Sequence, residues 1–141
     1  MEKLDLSVLE NAFISLQDTV TKLADEQWFS QQESIVQDTL IAGTIQKFEF
    51  VYELSIKMLK RQLKQIVETP EEIDSSDFRD ILRFGAKAGL IMNVEDWLLY
   101  RKMRNITSHT YDHNKAQQVY QDISTFLQSA ETLLTQLKQR N

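Results

Sequence analysis

Apolar residues recur at steps of three and four along most of this chain, and no stretch alternates apolar with polar as a half-buried strand would. Toward the end, Ala116, Val119, Tyr120, Ile123, Phe126, Leu127, Ala130, Leu133, Leu134 and Leu137 define one wide helical face. At 3.6 residues per turn, positions three and four apart return to the same side. So broad a face must be covered by other helices. The first segment supplies one, with Leu6, Leu9, Phe13, Leu16, Val20 and Leu23 forming a seam that ends near Asp25. A long second segment runs from about Ser34 toward Glu68 and carries Ile41, Ile45, Phe48, Val51, Tyr52, Leu59 and Leu63. Gly43 within it marks close packing or a slight bend. Thr69-Pro70 stops it, because Pro has no amide to donate and disfavours helical geometry in the residue before it.

A shorter helix with Phe78, Ile81, Leu82 and Phe84 is expected next, capped by Ser75 or Ser76 and loosened at Gly85 and Gly89. Asn93 caps the following segment, Val94 to about Ser108, and the last helix starts after Asn114. The expected architecture is all-α: an antiparallel up-and-down four-helix bundle with one additional short helix, residues 1–141 forming a single domain. Long helices with wide apolar faces leave surplus surface, so a homodimer is expected.

Composition narrows the function classes. The 141 residues include 42% hydrophobic and 26% charged, and no apolar run approaches the ~20 residues of a membrane span. Met1-Glu2-Lys3-Leu4-Asp5 lacks a basic region leading into an apolar stretch, so no secretory signal is expected. Cysteine is absent, which fits a cytoplasmic location and removes thiolate catalysis and cysteine-based metal sites. His109 and His113 have the i, i+4 spacing of a zinc pair but no third ligand is placed, so neither metal nor cofactor is expected. The net charge of −5 argues against a general nucleic-acid binder. Locally, Lys57, Lys60, Arg61 and Lys64 fall at i, i+3, i+4 and i+7, which gathers four cations on one helix face. That face is a candidate phosphate-binding stripe; its plain alternative is a solvated surface.

The densest chemistry lies in Arg101-Lys102-Met103-Arg104-Asn105-Ile106-Thr107-Ser108-His109-Thr110-Tyr111-Asp112. Arg104 is a permanent forked cation suited to phosphate oxygens, and His109 is a proton carrier poised near neutral pH. Arg101, nearly one turn before Arg104, joins the phosphate-binding candidates. A metal-independent ribonuclease needs such a pair: a base to take the proton of the ribose 2′-hydroxyl and a cation to meet the charge that builds on phosphorus. Asn105 is a supporting candidate that orients the imidazole or the phosphate. On an unbroken helix, however, Arg104 and His109 stand about 140° apart. A shared site therefore needs the helix to end near His109, the Arg side chain to fold back, or a second subunit. Glu49 and Glu53 either face this site or pair with Lys57, the latter being the default.

Arg, four residues, His, one residue, Tyr, with Asn after the Arg, resembles the signature of the HEPN superfamily. The resemblance is closest to nucleotidyltransferase substrate-binding proteins and their HepT-type toxin relatives. Gln46-Lys47-Phe48-Glu49-Phe50-Val51-Tyr52-Glu53-Leu54, followed by Lys57 and Lys60, is similar to the family's second-helix pattern, and the resemblance extends over nearly the whole chain. It implies a helical bundle and two competing functions. In the first, the chain is a non-catalytic, substrate- or nucleotide-binding partner of a small nucleotidyltransferase. In the second, it is a metal-independent endoribonuclease toxin that uses Arg104 and His109 on nucleic acid, silenced when the partner adenylylates Tyr111. The chain has no P-loop, no dinucleotide fingerprint and no nucleotidyltransferase Gly-Ser with paired carboxylates, so it is not expected to transfer nucleotides itself.

Overall fold

Helices form where the periodicity predicts them and in two short places where no period can be read. The computed structural model of the protein describes residues 2–109 and 112–141, with side chains at 2–107 and 112–141. Its helices are α1 (Ser7–Leu23), α2 (Glu26–Ser30), α3 (Ser34–Ile66), α4 (Glu71–Ser75), α5 (Phe78–Lys87), α6 (Val94–His109) and α7 (His113–Arg140), and no strand occurs among the described residues. The all-α expectation holds, but three shorter helices accompany the long ones instead of one. The unexpected pair, α2 and α4, have 5 residues each, under two turns and too short to show a repeat. The Asp25 carboxylate starts α2 by accepting from the Trp28 amide at 3.1 Å. Pro70 stands just before α4, where its missing N–H costs nothing.

Caps explain the remaining boundary differences. Asp77 caps α5, its carboxylate accepting from the Asp80 amide at 2.8 Å. Ser75 and Ser76 do not, because their hydroxyls donate to the Glu72 carbonyl. Asn93 caps α6 as expected, accepting from the amides of Glu95 and Asp96. Asp112 accepts from the amides of Asn114 and Lys115, so α7 starts at His113, ahead of the expected boundary. Gly43 marks no close packing, since a Cβ there would meet nothing within 4 Å. Gly85 does: a Cβ would stand 3.1 Å from Leu59 Cδ1, so this glycine lets α5 lie against α3.

Long-range bonds set the helix directions. The Gln65 amide donates to the Glu2 carbonyl at 2.8 Å, tying the end of α3 to the start of the chain. Lys138 near the end of α7 pairs with Glu10 near the start of α1 at 2.7 Å. Asn141 donates to Gln62 at 2.7 Å, which brings the C-terminal ends of α3 and α7 together. The long helices α1, α3, α6 and α7 thus run alternately up and down, with α3 against α7 at the centre. Between α3, α6 and α7 lies an aromatic knot: Phe126 packs edge-to-face on Phe48 at 4.8 Å, Tyr100 at 5.1 Å and Trp97 at 5.9 Å. The Tyr100 hydroxyl bonds Ser129 Oγ at 2.6 Å, which satisfies a polar atom that this knot buries. Among the described residues, no helix is long and apolar enough to cross a membrane.

Candidate functional site

The aromatic knot fixes how α6 lies across α3, and that crossing decides what Arg104 meets. Trp97 packs near Tyr52 at 6.5 Å between ring centroids, and two turns further along α6 Arg104 reaches Glu53. Its Nη2 stands 2.5 Å and its Nε 3.1 Å from the same Glu53 oxygen. Glu53 is therefore a partner of Arg104, and the default pairing with Lys57 is corrected. Helical spacing along α3 suggested Lys57, but the antiparallel approach of α6 brings a cation that is always charged closer. Glu53 raises the Arg104 guanidinium further above its ordinary value. The pair is accessible, with side chains 32% and 52% exposed, so its strength is of the order of 0–1 kcal/mol.

Tyr52 lies beneath this pair and is nearly buried. Burial pushes its phenol up to about 12, with Arg101 and Arg104 pulling it the other way. It stays protonated at neutral pH and cannot serve as a base.

The other cations are distributed unequally. Glu53, Lys57, Lys60 and Lys64 share one side of α3, and the 1.5 Å rise per residue sets the three lysines roughly 6, 10 and 16 Å beyond Glu53. Lys57 and Arg61 are exposed and Lys60 partly so. Lys64 is engaged by Asp74 of α4 at 2.8 Å. Arg101 lies over the Phe78 ring at 4.5 Å, a contact that uses the guanidinium face and leaves its edge for anions.

Asn105 is exposed. α6 stays helical through His109, so position 109 is about 40° around the axis from Asn105 and about 140° from Arg104. Along this helix Arg104 and position 109 do not share a face. The His109 side chain and the whole of Tyr111 lie outside the described residues.

On the other side of Arg104 from the lysines, a cleft of about 170 Å³ opens between α3 and the junction of α6 with α7. Ile41, Ile45 and Ile106 line it with apolar surface, Asp38, Glu49 and Asp112 contribute carboxylates, and His113 and Lys115 contribute basic groups. Sequence reasoning did not find this cleft. The only signal was the pair Glu49 and Glu53, one turn apart on the exposed side of the long helix. Among the described residues, no group of three or more His, Cys, Asp or Glu is arranged to hold a metal.

A helical protein with a partly exposed, ion-paired arginine near the end of its penultimate helix is the class these features define. Residues 4–139 match the family model for nucleotidyltransferase substrate binding protein like chains. The chain belongs to that family, and membership implies a nucleotidyltransferase partner. A Haemophilus influenzae protein described as a probable ribonuclease HepT is 56% identical over 140 residues, which cover 99% of this chain and 96% of that protein. A solved Haemophilus influenzae structure, described as revealing the fold of a substrate binding domain of a nucleotidyltransferase, has a TM-score of 0.92 at 55% identity, covering 95% of this chain and 99% of that one. A crystal structure from Thermus thermophilus shares the fold, with a TM-score of 0.68 at 21% identity over 92% of this chain and 98% of its own.

Proposed function

We propose that this chain is a metal-independent endoribonuclease whose activity is controlled by a nucleotidyltransferase partner. The observation that carries this reading is Arg104, held at an accessible surface by a weak pair with Glu53 and continuous with Lys57 and Lys60. A relative described as a probable ribonuclease, alike over almost the full length of both chains, supports it. In the reaction, neutral His109 takes the proton of a ribose 2′-hydroxyl, and the oxygen bonds to the adjacent phosphorus. The bond from phosphorus to the 5′-oxygen breaks, and that oxygen takes up a proton, leaving a 2′,3′-cyclic phosphate and a 5′-hydroxyl. Arg104 meets the charge on the phosphoryl oxygens, and Asn105 orients the imidazole. The angular separation of positions 104 and 109 favours a homodimer in which the two copies complete each other's site. Exposed Val8 and Phe50, each 53% accessible, are consistent with an interface. Tyr111, two residues beyond His109, is the proposed adenylylation site.

A second reading is favoured by the solved relative described as a substrate binding domain: a non-catalytic subunit that holds the substrate for the nucleotidyltransferase. Incubating the pure protein with total RNA in EDTA separates the two. Cleavage to cyclic-phosphate ends is expected, as is its loss on incubation with the cognate nucleotidyltransferase and ATP as the Tyr111 peptide gains an adenylate. RNA left intact by the protein alone would overturn the ribonuclease and leave the binding subunit.

A further inference from the structure

We propose that the Tyr52 hydroxyl and the Arg101 guanidinium together bind a phosphate of single-stranded nucleic acid, next to the phosphate assigned to Arg104. The proposal deepens the ribonuclease reading, on which it rests for the role of Arg104, by giving the substrate a second anchored phosphate.

The crossing of α6 over α3 builds the site. Trp97, Arg101 and Arg104 fall at i, i+4 and i+7 and so share one side of α6. On that side Trp97 packs near the Tyr52 ring, 6.5 Å between centroids, and Arg104 meets Glu53, the residue after Tyr52. Arg101 lies between these two contacts, and its charge acts on the Tyr52 phenol together with that of Arg104.

Tyr52 is only 6% exposed, yet its hydroxyl makes no hydrogen bond among the described residues. Nor is that oxygen sealed from solvent, because among the described residues Ser55 Oγ alone is a buried side-chain atom without a partner. Tyr100 in the same aromatic knot differs, its hydroxyl being satisfied by Ser129. A protonated phenol held beside two guanidinium groups offers its hydrogen to an anion. Arg101 supplies the charge. It is exposed and enters no ion pair among the described residues, and its contact with the Phe78 ring uses the guanidinium face, so the N–H edge points to a forked contact with phosphate oxygens.

The arrangement of charge selects a polyanion. Arg101 stands roughly 4.5 Å along α6 from Arg104, and Lys57 and Lys60 continue the cations along α3. Glu53 and Glu49 are the carboxylates that act on Arg104, and they leave the row positive. A chain of phosphates can use several such cations at once, whereas a single carboxylate ligand would use one.

The test follows the anisotropy of a fluorescein-labelled single-stranded DNA of about ten nucleotides at several salt concentrations. Lacking 2′-hydroxyls, this probe binds without being cut. Tyr52→Phe is expected to weaken binding about tenfold, the loss of one hydrogen bond to a charged group. Its salt slope should match the wild type because no charge is removed, and its melting temperature should not fall because the hydroxyl has no protein partner. Arg101→Gln should weaken binding as much and lower the slope by about 0.7. Lys102→Gln, at an exposed position about 100° around α6 from Arg101, should stay within about twofold of the wild type. Unchanged affinity in Tyr52→Phe would overturn the proposal, as would equal losses in Arg101→Gln and Lys102→Gln or a wild-type protein that binds no DNA. The expected binding pattern in a protein that leaves RNA intact would keep the phosphate site and remove the ribonuclease. RNA cleavage with neither Tyr52→Phe nor Arg101→Gln affecting DNA binding would do the reverse.

Discussion

Arg104→Ala is expected to cut RNA cleavage about 10²–10³-fold, the usual loss when one donor to a developing oxyanion is removed. The melting temperature should hardly move. The ion pair of Arg104 with Glu53 joins a partly exposed arginine to an exposed glutamate, and such accessible pairs contribute about 0–1 kcal/mol. That separation makes the experiment informative, because a folded but inactive variant places the loss in the chemistry. Arg104→Lys should recover little, since an ammonium is a point charge and cannot grip two phosphate oxygens in a fork. His109→Ala should match the Arg104 loss and flatten the pH dependence near the imidazole's range. An Arg104→Ala protein that cleaves RNA at the wild-type rate would rule out this residue as the phosphate-binding group.

The largest effect on stability is expected at Phe126, which is fully buried and touches Phe48, Trp97 and Tyr100 edge-to-face. Phe126→Ala removes its buried surface, opens a cavity among three helices and deletes three aromatic contacts, a loss of about 3–5 kcal/mol. Against a total of roughly 5–15 kcal/mol for a protein of ordinary stability, the melting temperature should fall by roughly 10 °C or more. Phe126→Leu should lose clearly less. Because the same knot aligns α6 on α3, Phe126→Ala should also weaken the Arg104 site. Thermal melting of the two variants side by side checks the claim, and equal melting temperatures for Phe126→Ala and the parent would refute it.

How much of this could be read from residues differs by element. The faces of α1, α3 and α7 were legible because an apolar repeat over many turns is a local property. The Asn93 cap was legible for the same reason: an acceptor two or three residues from its donor amides needs no tertiary partner. The cap of α5 was misassigned to Ser75 or Ser76 because three neighbouring polar residues compete there, and the choice turns on where α4 ends. Helices α2 and α4 escaped because one turn and a fraction carries no period.

At the site, the signature residues Arg104, Asn105, His109 and Tyr111 could be picked out by their chemistry, and their cationic neighbours by spacing. Their partners could not. Lys64 and Arg101 looked equivalent to Lys57 as phosphate ligands until Asp74 and the Phe78 ring were found beside them.

By itself, the sequence determined that the chain is helical, which faces are apolar, and which residue types could handle a phosphate, because each of these follows from spacing over a few turns. Only the tertiary structure decided that Glu53 meets Arg104 across 51 residues of chain, and that a cleft lined by both apolar and charged residues opens beside them. The reason is physical: those neighbours are set by the packing of Phe48, Trp97 and Phe126 where the helices cross, and no local spacing encodes that crossing.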